Sequence, residues 1–169
     1  MRVLGIDPGS QATGFGIIDS DETGYGVRTF GTIRPSRRLP FHLKLHEIGR
    51  EVGKIIAAHT PDEVAIESPF YAQNIKTAIA LGQVRGAVLV AVAASSRALF
   101  EYSALEIKKA VTGYGQAEKQ QVKAMVKALL HIEAEVEADA SDALAAAICH
   151  VNTRMFQKTV EESAGGGRR

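Results

Sequence analysis

The chain has 169 residues, 46% hydrophobic and 23% charged, with a net charge of +1 at neutral pH. That is an ordinary globular profile for one domain with a substantial core, and its bulk charge does not announce a nucleic-acid partner. The single cysteine, Cys149, excludes an internal disulfide and suits a reducing, cytoplasmic compartment.

Taken in chain order, Val3–Asp7 reads as a short buried strand, entered so directly from Met1 that no signal peptide is expected before the fold. A tight connection carrying Pro8, Gly9 and Gly14 leads to a second strand over Gly14–Asp19, and a polar turn leads to a third over Tyr25–Ile33. Three strands joined so closely predict an antiparallel meander. A basic loop with two prolines, Arg34–Pro40, follows. Leu45, Ile48, Val52, Ile55 and Ile56 then mark a helix over Leu43–Ala58, which Thr60-Pro61-Asp62 stops. Glu63–Glu67 is a fourth strand, reached through a helix and so free to lie parallel to an earlier one.

Ile75–Ser95 reads as a long helix, apolar almost all round, whose longest apolar run, Gly86–Ala94, is too short to span a bilayer. Its small residues Ala78, Gly82 and Gly86 predict close packing inside the fold or across a dimer. A fifth strand, Leu99–Tyr102, precedes helices over Ser103–Val111, Ala117–His131 and Asp139–Phe156. Residues 1–156 are expected to form the domain and 157–169 a flexible basic tail ending Gly165-Gly166-Gly167-Arg168-Arg169. The order predicts an α/β fold: a mixed five-stranded sheet, antiparallel in its first three strands and then parallel, covered by helices on both faces.

Four carboxylates stand at element ends. Asp7 closes the first strand and Glu67 the fourth, where ligands of such sheets gather. Asp139 and Asp142 open the last helix, three apart and therefore on one helix face. Acids that converge without a basic neighbour repel one another. A hard divalent cation relieves that repulsion, and two can clamp a phosphodiester for hydrolysis. Each acid also has a plainer reading. Asp7-Pro8-Gly9 is a common turn, Glu67 can point to water, and Asp139 and Asp142 can cap their helix. The alanines around the last pair favour convergence, because so small a helix surface can pack close to the sheet.

Local charge is uneven. Six cations oppose three anions between Arg97 and His131, whereas Ile132–Asp142 holds five anions and no Lys or Arg. Lys119, Lys123 and Lys127 lie four apart on one helix, which by itself reads as a solvated face. Lys119 stands out because it follows Gly113-Tyr114-Gly115-Gln116 at a helix start, a setting that suits a phosphate. Phe70 and Tyr71, just past Glu67 and near Asn74, could stack on unpaired bases or anchor the core. His42 and His46 lack a third ligand nearby, and Cys149 and His150 are assigned no chemistry.

Together these pieces resemble the RuvC family of Holliday junction resolvases. The resemblance runs from Val3 to about His150 and rests on several motifs in order. These are Gly5-Ile6-Asp7-Pro8-Gly9, then Ile66-Glu67 with Phe70 and Asn74, then Gly82-Gln83 with Arg85-Gly86. Lys108 follows, with Gly113-x-Gly115-x-Ala117-Glu118-Lys119-x-Gln121-Val122, and Asp139-x-x-Asp142-Ala-Leu-Ala completes the set. Ser141, Ala104 and the His42/Lys44 pair depart from the family's usual residues.

The resemblance implies an RNase H-like fold and a homodimer that binds four-way DNA junctions. It implies symmetric nicking of two strands of like polarity with two Mg²⁺ or Mn²⁺ ions per site, leaving 5′-phosphate and 3′-hydroxyl ends. It assigns catalysis and metal binding to Asp7, Glu67, Asp139 and Asp142, and phosphate contact to Lys108 and Lys119. It places Phe70 at the junction crossover. Tyr71, Asn74 and Lys123 are added as candidate DNA contacts, and Lys119 as a catalytic residue. A branch-migration complex of the RuvA and RuvB type is the expected partner. The alternatives are another RNase H-like nuclease, a non-catalytic junction-binding module, and an actin-like kinase or ATPase, for which the chain is too short to form a second lobe.

Overall fold

The computed structural model describes residues 1–21, 24–68 and 74–165, with side chains through Ser163. The strands are β1 (Arg2–Asp7), β2 (Thr13–Asp21), β3 (Gly24–Ile33), β4 (Glu63–Glu67) and β5 (Ala98–Tyr102). The helices are α1 (Phe41–His59), α2 (Ile75–Ala94), α3 (Ala104–Thr112), α4 (Lys119–Leu129) and α5 (Ala138–Gly165).

The strands form one sheet in the order β3-β2-β1-β4-β5. β1 pairs antiparallel with β2, and β2 with β3, whereas β4 lies parallel to β1 and β5 parallel to β4. This is the mixed sheet expected from the connections: tight turns make antiparallel neighbours and helical crossovers make parallel ones. Residue alternation divides the core. Leu4, Ile6, Ile17, Val64 and Ile66 pack against Ile48, Val52 and Ile56 of α1 and Val84, Val88 and Val92 of α2. Val3, Ile18, Ala65 and Tyr102 face the opposite way, against α3, α4 and α5.

The second face explains the alanine-rich sequence of α5. A Cβ placed on Gly5 would lie 1.9 Å from the carbonyl oxygen of Ala143, and one on Gly14 would lie 1.9 Å from that of Asp139. Only glycine permits this backbone-to-backbone approach. Ala140, Ala143, Ala146 and Ala147 are all at most 1% exposed, so the helix start is pressed against the end of β1.

Two expectations need correction. The last helix does not end at Phe156. α5 continues through Gly165, because 157–163 contains no proline or glycine, Lys158 lies 3.9 Å from Glu162, and Thr159 and Ser163 bond back to carbonyls one turn earlier. Helix thus continues over 157–165, within the stretch read as a tail. The other concerns α2, which spans Ile75–Ala94 much as read from the sequence but which, by length and composition alone, could cross a membrane. In this fold, however, one side of α2 buries Val84, Val88 and Val92 in the core.

Candidate active site

β1 and β4 are adjacent and parallel, with Ile6 opposite Ile66, so Asp7 and Glu67 leave neighbouring strand ends side by side. Asp139 and Asp142 reach the same place from α5. The three elements bring the four acids into mutual electrostatic reach. Burial, followed by the charges of Asp142, Glu67 and Asp139, pushes the Asp7 carboxyl up to about 7, with Lys119 opposing. Glu67 is raised by burial and Asp142, with Lys119 and Lys108 pulling the other way. Neighbouring like charges and lost hydration both disfavour ionisation.

The strand end that carries Glu67 is held from two sides. Its carbonyl accepts a hydrogen bond from Arg85 Nη1 of α2 at 2.7 Å, and the next amide, Ser68 N, donates to the Tyr102 carbonyl at 2.7 Å. Arg85 also lies 2.7 Å from Glu101. Arg85 belonged to a motif in the sequence, but nothing in the sequence said that it acts on the backbone of Glu67.

The cationic side of the site comes from α3 and α4. Gly113 ends α3 with a φ of +76°, a conformation that suits glycine, and Gly115 lies against the Leu105 side chain, which would have to shift to admit a Cβ there. This tight link sets the two helices so that Lys108 and Lys119 line one cleft with Glu67 and Asp142, about 530 Å³ in volume and walled by Leu105 and Ala145. Lys119 Nζ lies 3.3 Å from Asp142 Oδ2, and that carboxylate is the main cause of its raised pKa.

The other candidates are placed differently. Lys123 turns to Glu135 at 2.7 Å, with Lys127 3.9 Å from the same acid. Asn74 caps α2, its side-chain oxygen accepting from the amides of Lys76 and Thr77. Phe70 and Tyr71 lie outside the described residues. The acidic run before α5 is also divided. Glu135 pairs with Lys123, Glu137 with Arg34 and Thr32, and only Asp139 and Asp142 join the site. The Ser141 hydroxyl is buried with no hydrogen-bond partner among the described residues. At the opposite end of β4, His150 is fully buried, 2.7 Å from the Tyr102 hydroxyl and 2.6 Å from Glu63, which also pairs with Arg154.

Among the described residues, no group of three carboxylate or imidazole side chains is drawn close enough to cage an ion as it stands. The donor set still fits a hard divalent cation. It is all oxygen and all acidic, and its electrostatics leave Asp7 short of positive charge.

A family model described as crossover junction endodeoxyribonuclease RuvC matches residues 3–150. A crossover junction endodeoxyribonuclease RuvC from Geobacter sulfurreducens is 43% identical over 160 residues, covering 95% of this chain and 98% of the relative. The protein of that name from Coxiella burnetii (strain RSA 331 / Henzerling II) is 45% identical over 163 residues, covering 96% and 94%. The structure of Thermus thermophilus RuvC in complex with a Holliday junction superposes with a TM-score of 0.87 at 28% identity, covering 93% of this chain and 96% of that one. The yeast mitochondrial Holliday junction resolvase Ydc2, at 12% identity and a TM-score of 0.68, shares the fold.

Proposed function

The chain belongs to the RuvC family of crossover junction endodeoxyribonucleases, and from that premise we propose that it resolves four-way Holliday junctions by metal-dependent nicking. One observation carries the reading. Four carboxylates from β1, β4 and α5 share one electrostatically coupled site, and Lys108 and Lys119 line the cleft beside it.

Asp7, Glu67, Asp139 and Asp142 are the residues that would hold Mg²⁺ or Mn²⁺. Bound there, divalent ions supply the positive charge that makes water a nucleophile and stabilises the leaving 3′ oxygen. Lys119 offsets charge gathering on the attacked phosphate, since its ammonium already faces Asp142 and the cleft. Lys108 attracts the same strand. The products are a 5′-phosphate and a 3′-hydroxyl. The resemblance assigns Phe70 to the crossover, with stacking on an opened base as its role, and Tyr71 is a further candidate for such stacking.

A homodimer suits a substrate with two-fold symmetry, because one site per subunit then nicks both like-polarity strands. Support comes from α2. Ile75, Ile79 and Val90 are 78%, 58% and 70% exposed, and Cβ atoms on Gly82 and Gly86 would meet nothing within 4 Å. These positions share the helix face opposite Val84, Val88 and Val92. A branch-migration complex of the RuvA and RuvB type and a cytoplasmic location complete the proposal.

The test is direct. The protein is incubated with a synthetic four-way junction or a linear duplex, with Mg²⁺, Mn²⁺ or EDTA, and the nicks are mapped. Paired symmetric nicks in the junction alone, lost in EDTA, are expected. Equal cutting of the duplex refutes junction selectivity.

A further inference from the structure

At the β1–β2 turn lies a second cleft, about 560 Å³, lined by Ser10, Gln11, Arg34, Pro35, Arg37 and Lys44. We propose that this cleft holds the sugar–phosphate backbone of a DNA strand a few nucleotides from the nick, with Arg37 and Lys44 as its phosphate contacts. The proposal rests on the junction-nuclease reading and adds a binding site to it.

Four observations support it. First, the surrounding chain is one-sided in charge. From Gly24 to His46 there are five Lys or Arg residues and no Asp or Glu. Second, the cations differ in what they face. Arg34 is paired with Glu137, the carboxylate that offsets part of the charge here, whereas Arg37 and Lys44 form no ion pair with an acid among the described residues. Third, Pro35 is the only apolar residue of the lining among the described residues. Small-molecule pockets are mostly apolar, so this lining suits a hydrated polyanion instead.

Fourth, the position relative to Asp7 is fixed by the chain. Ser10 is three residues past Asp7, so their Cα atoms are at most ~11 Å apart. Bases stack at ~3.4 Å per step along a strand, so the Ser10 wall of the cleft is within about three steps of Asp7. Pro35 is buried and the preceding Ile33 is registered against Thr13 in the sheet, so the cleft is anchored to β3 and, through β2, to the β1 strand that ends at Asp7. A phosphate held here would fix the strand's position over the acids.

The test measures the affinity of the full-length protein for a fluorescent four-way junction in EDTA, where nothing is cut, as a function of salt. Arg37→Ala and Lys44→Ala should each reduce the slope of log K against log[salt] by about one unit, with unchanged thermal unfolding. Arg50→Ala, an exposed cation outside the cleft and paired with Glu51, should keep the native slope. Uncharged methylphosphonates are then placed singly within four nucleotides of the mapped nick. One position should weaken native binding yet cost nothing further in Arg37→Ala or Lys44→Ala. Inorganic phosphate at low millimolar concentration should not compete; if it displaces DNA and protects the cleft, the site is one for a free anion. Native slopes in both variants, with native cutting intact, overturn the cleft proposal alone. A native protein that neither binds nor cuts junctions overturns the function as well.

Discussion

Arg85 donates from Nη1 to the backbone carbonyl of Glu67 at 2.7 Å, so a side chain of α2 fixes the strand end from which a candidate metal ligand projects. The Arg85 side chain is only 12% exposed and also faces Glu101. Losing it leaves a partly buried carbonyl without its donor, at a cost of ~1–3 kcal/mol. Arg85→Ala should therefore lower thermal stability and slow nicking at saturating protein more than it weakens junction binding. Arg85→Lys should recover only part of either, because an ammonium cannot reach Glu67 and Glu101 in the same fork geometry. Equal losses in binding and nicking would show that Arg85 acts on DNA instead.

The acids should separate binding from chemistry. Asp7→Asn, Glu67→Gln and Asp142→Asn are each expected to reduce nicking by ~10³-fold or more, the equivalent of several kcal/mol of transition-state stabilisation. Junction affinity should stay near native, because lysines supply it. Substantial nicking by Asp7→Asn would refute the assignment.

The same residue predicts a trade between stability and activity. Asp7 has its folded pKa raised from 3.8 to about 7. Its contribution to stability is complete below the unfolded value and is lost as pH rises through 7, at ~1.4 kcal/mol for each pH unit separating the two values. At pH 8 in EDTA, Asp7→Asn should melt at a higher temperature than the native protein. Adding Mg²⁺ or Mn²⁺ should raise the native melting temperature and leave that of Asp7→Asn much less changed.

Along α4 the lysines should not be equivalent. Lys119 faces Asp142 and lines the cleft, whereas Lys123 is engaged by Glu135. Lys119→Ala should reduce the nicking rate more than the affinity. Lys123→Ala should affect affinity only slightly and flatten its salt dependence by less than one contact's worth. Identical profiles for the two variants would deny Lys119 a special role.

Acid sensitivity is expected from the buried network at the other end of β4. Burial lowers the His150 pKa from 6.5, against the opposing pull of Glu63. Below pH 6.5 the unfolded chain therefore takes up a proton that the folded chain resists, and stability falls as pH falls. The slope from this one group is at most ~1.4 kcal/mol per pH unit. Glu63, whose pKa is lowered chiefly by its hydrogen bond to Arg154, adds a further loss once pH drops below 4.5. Urea midpoints at pH 7.5 and 5.5 should differ more in the native protein than in His150→Gln.

Much of this site was legible because its candidate ligands sit at element ends. Strand termini at Asp7 and Glu67, and a helix start at Asp139, follow from local patterning, whereas the helical crossover said only that β4 could lie parallel to an earlier strand and not that its neighbour is β1. Side-chain partners were not legible. Lys123 and Lys119 occupy equivalent positions in the sequence repeat, and only the path of the loop before α5 gives Lys123 an acid to hold. Asn74 was read as a candidate DNA contact, and nothing in the sequence near it announced that its side-chain oxygen also caps α2. The continuation of α5 past Phe156 was hidden by a polar composition that suits a solvated helix as well as a tail. His150 gave no periodicity signal to distinguish a buried network from an ordinary core position.

The contact of Gly5 and Gly14 with the carbonyls of Ala143 and Asp139 has a consequence for how the molecule opens. Where backbone meets backbone, no side chain can swing aside to let the helix lift locally. The acid-bearing end of α5 should therefore part from β1 only when the whole sheet comes apart. Amide protons of Ala143, Leu144 and Gly5 should exchange with solvent by the global unfolding route, their exchange free energies tracking denaturant midpoints across variants. The candidate catalytic acids would then sit on the slowest-exchanging part of the chain.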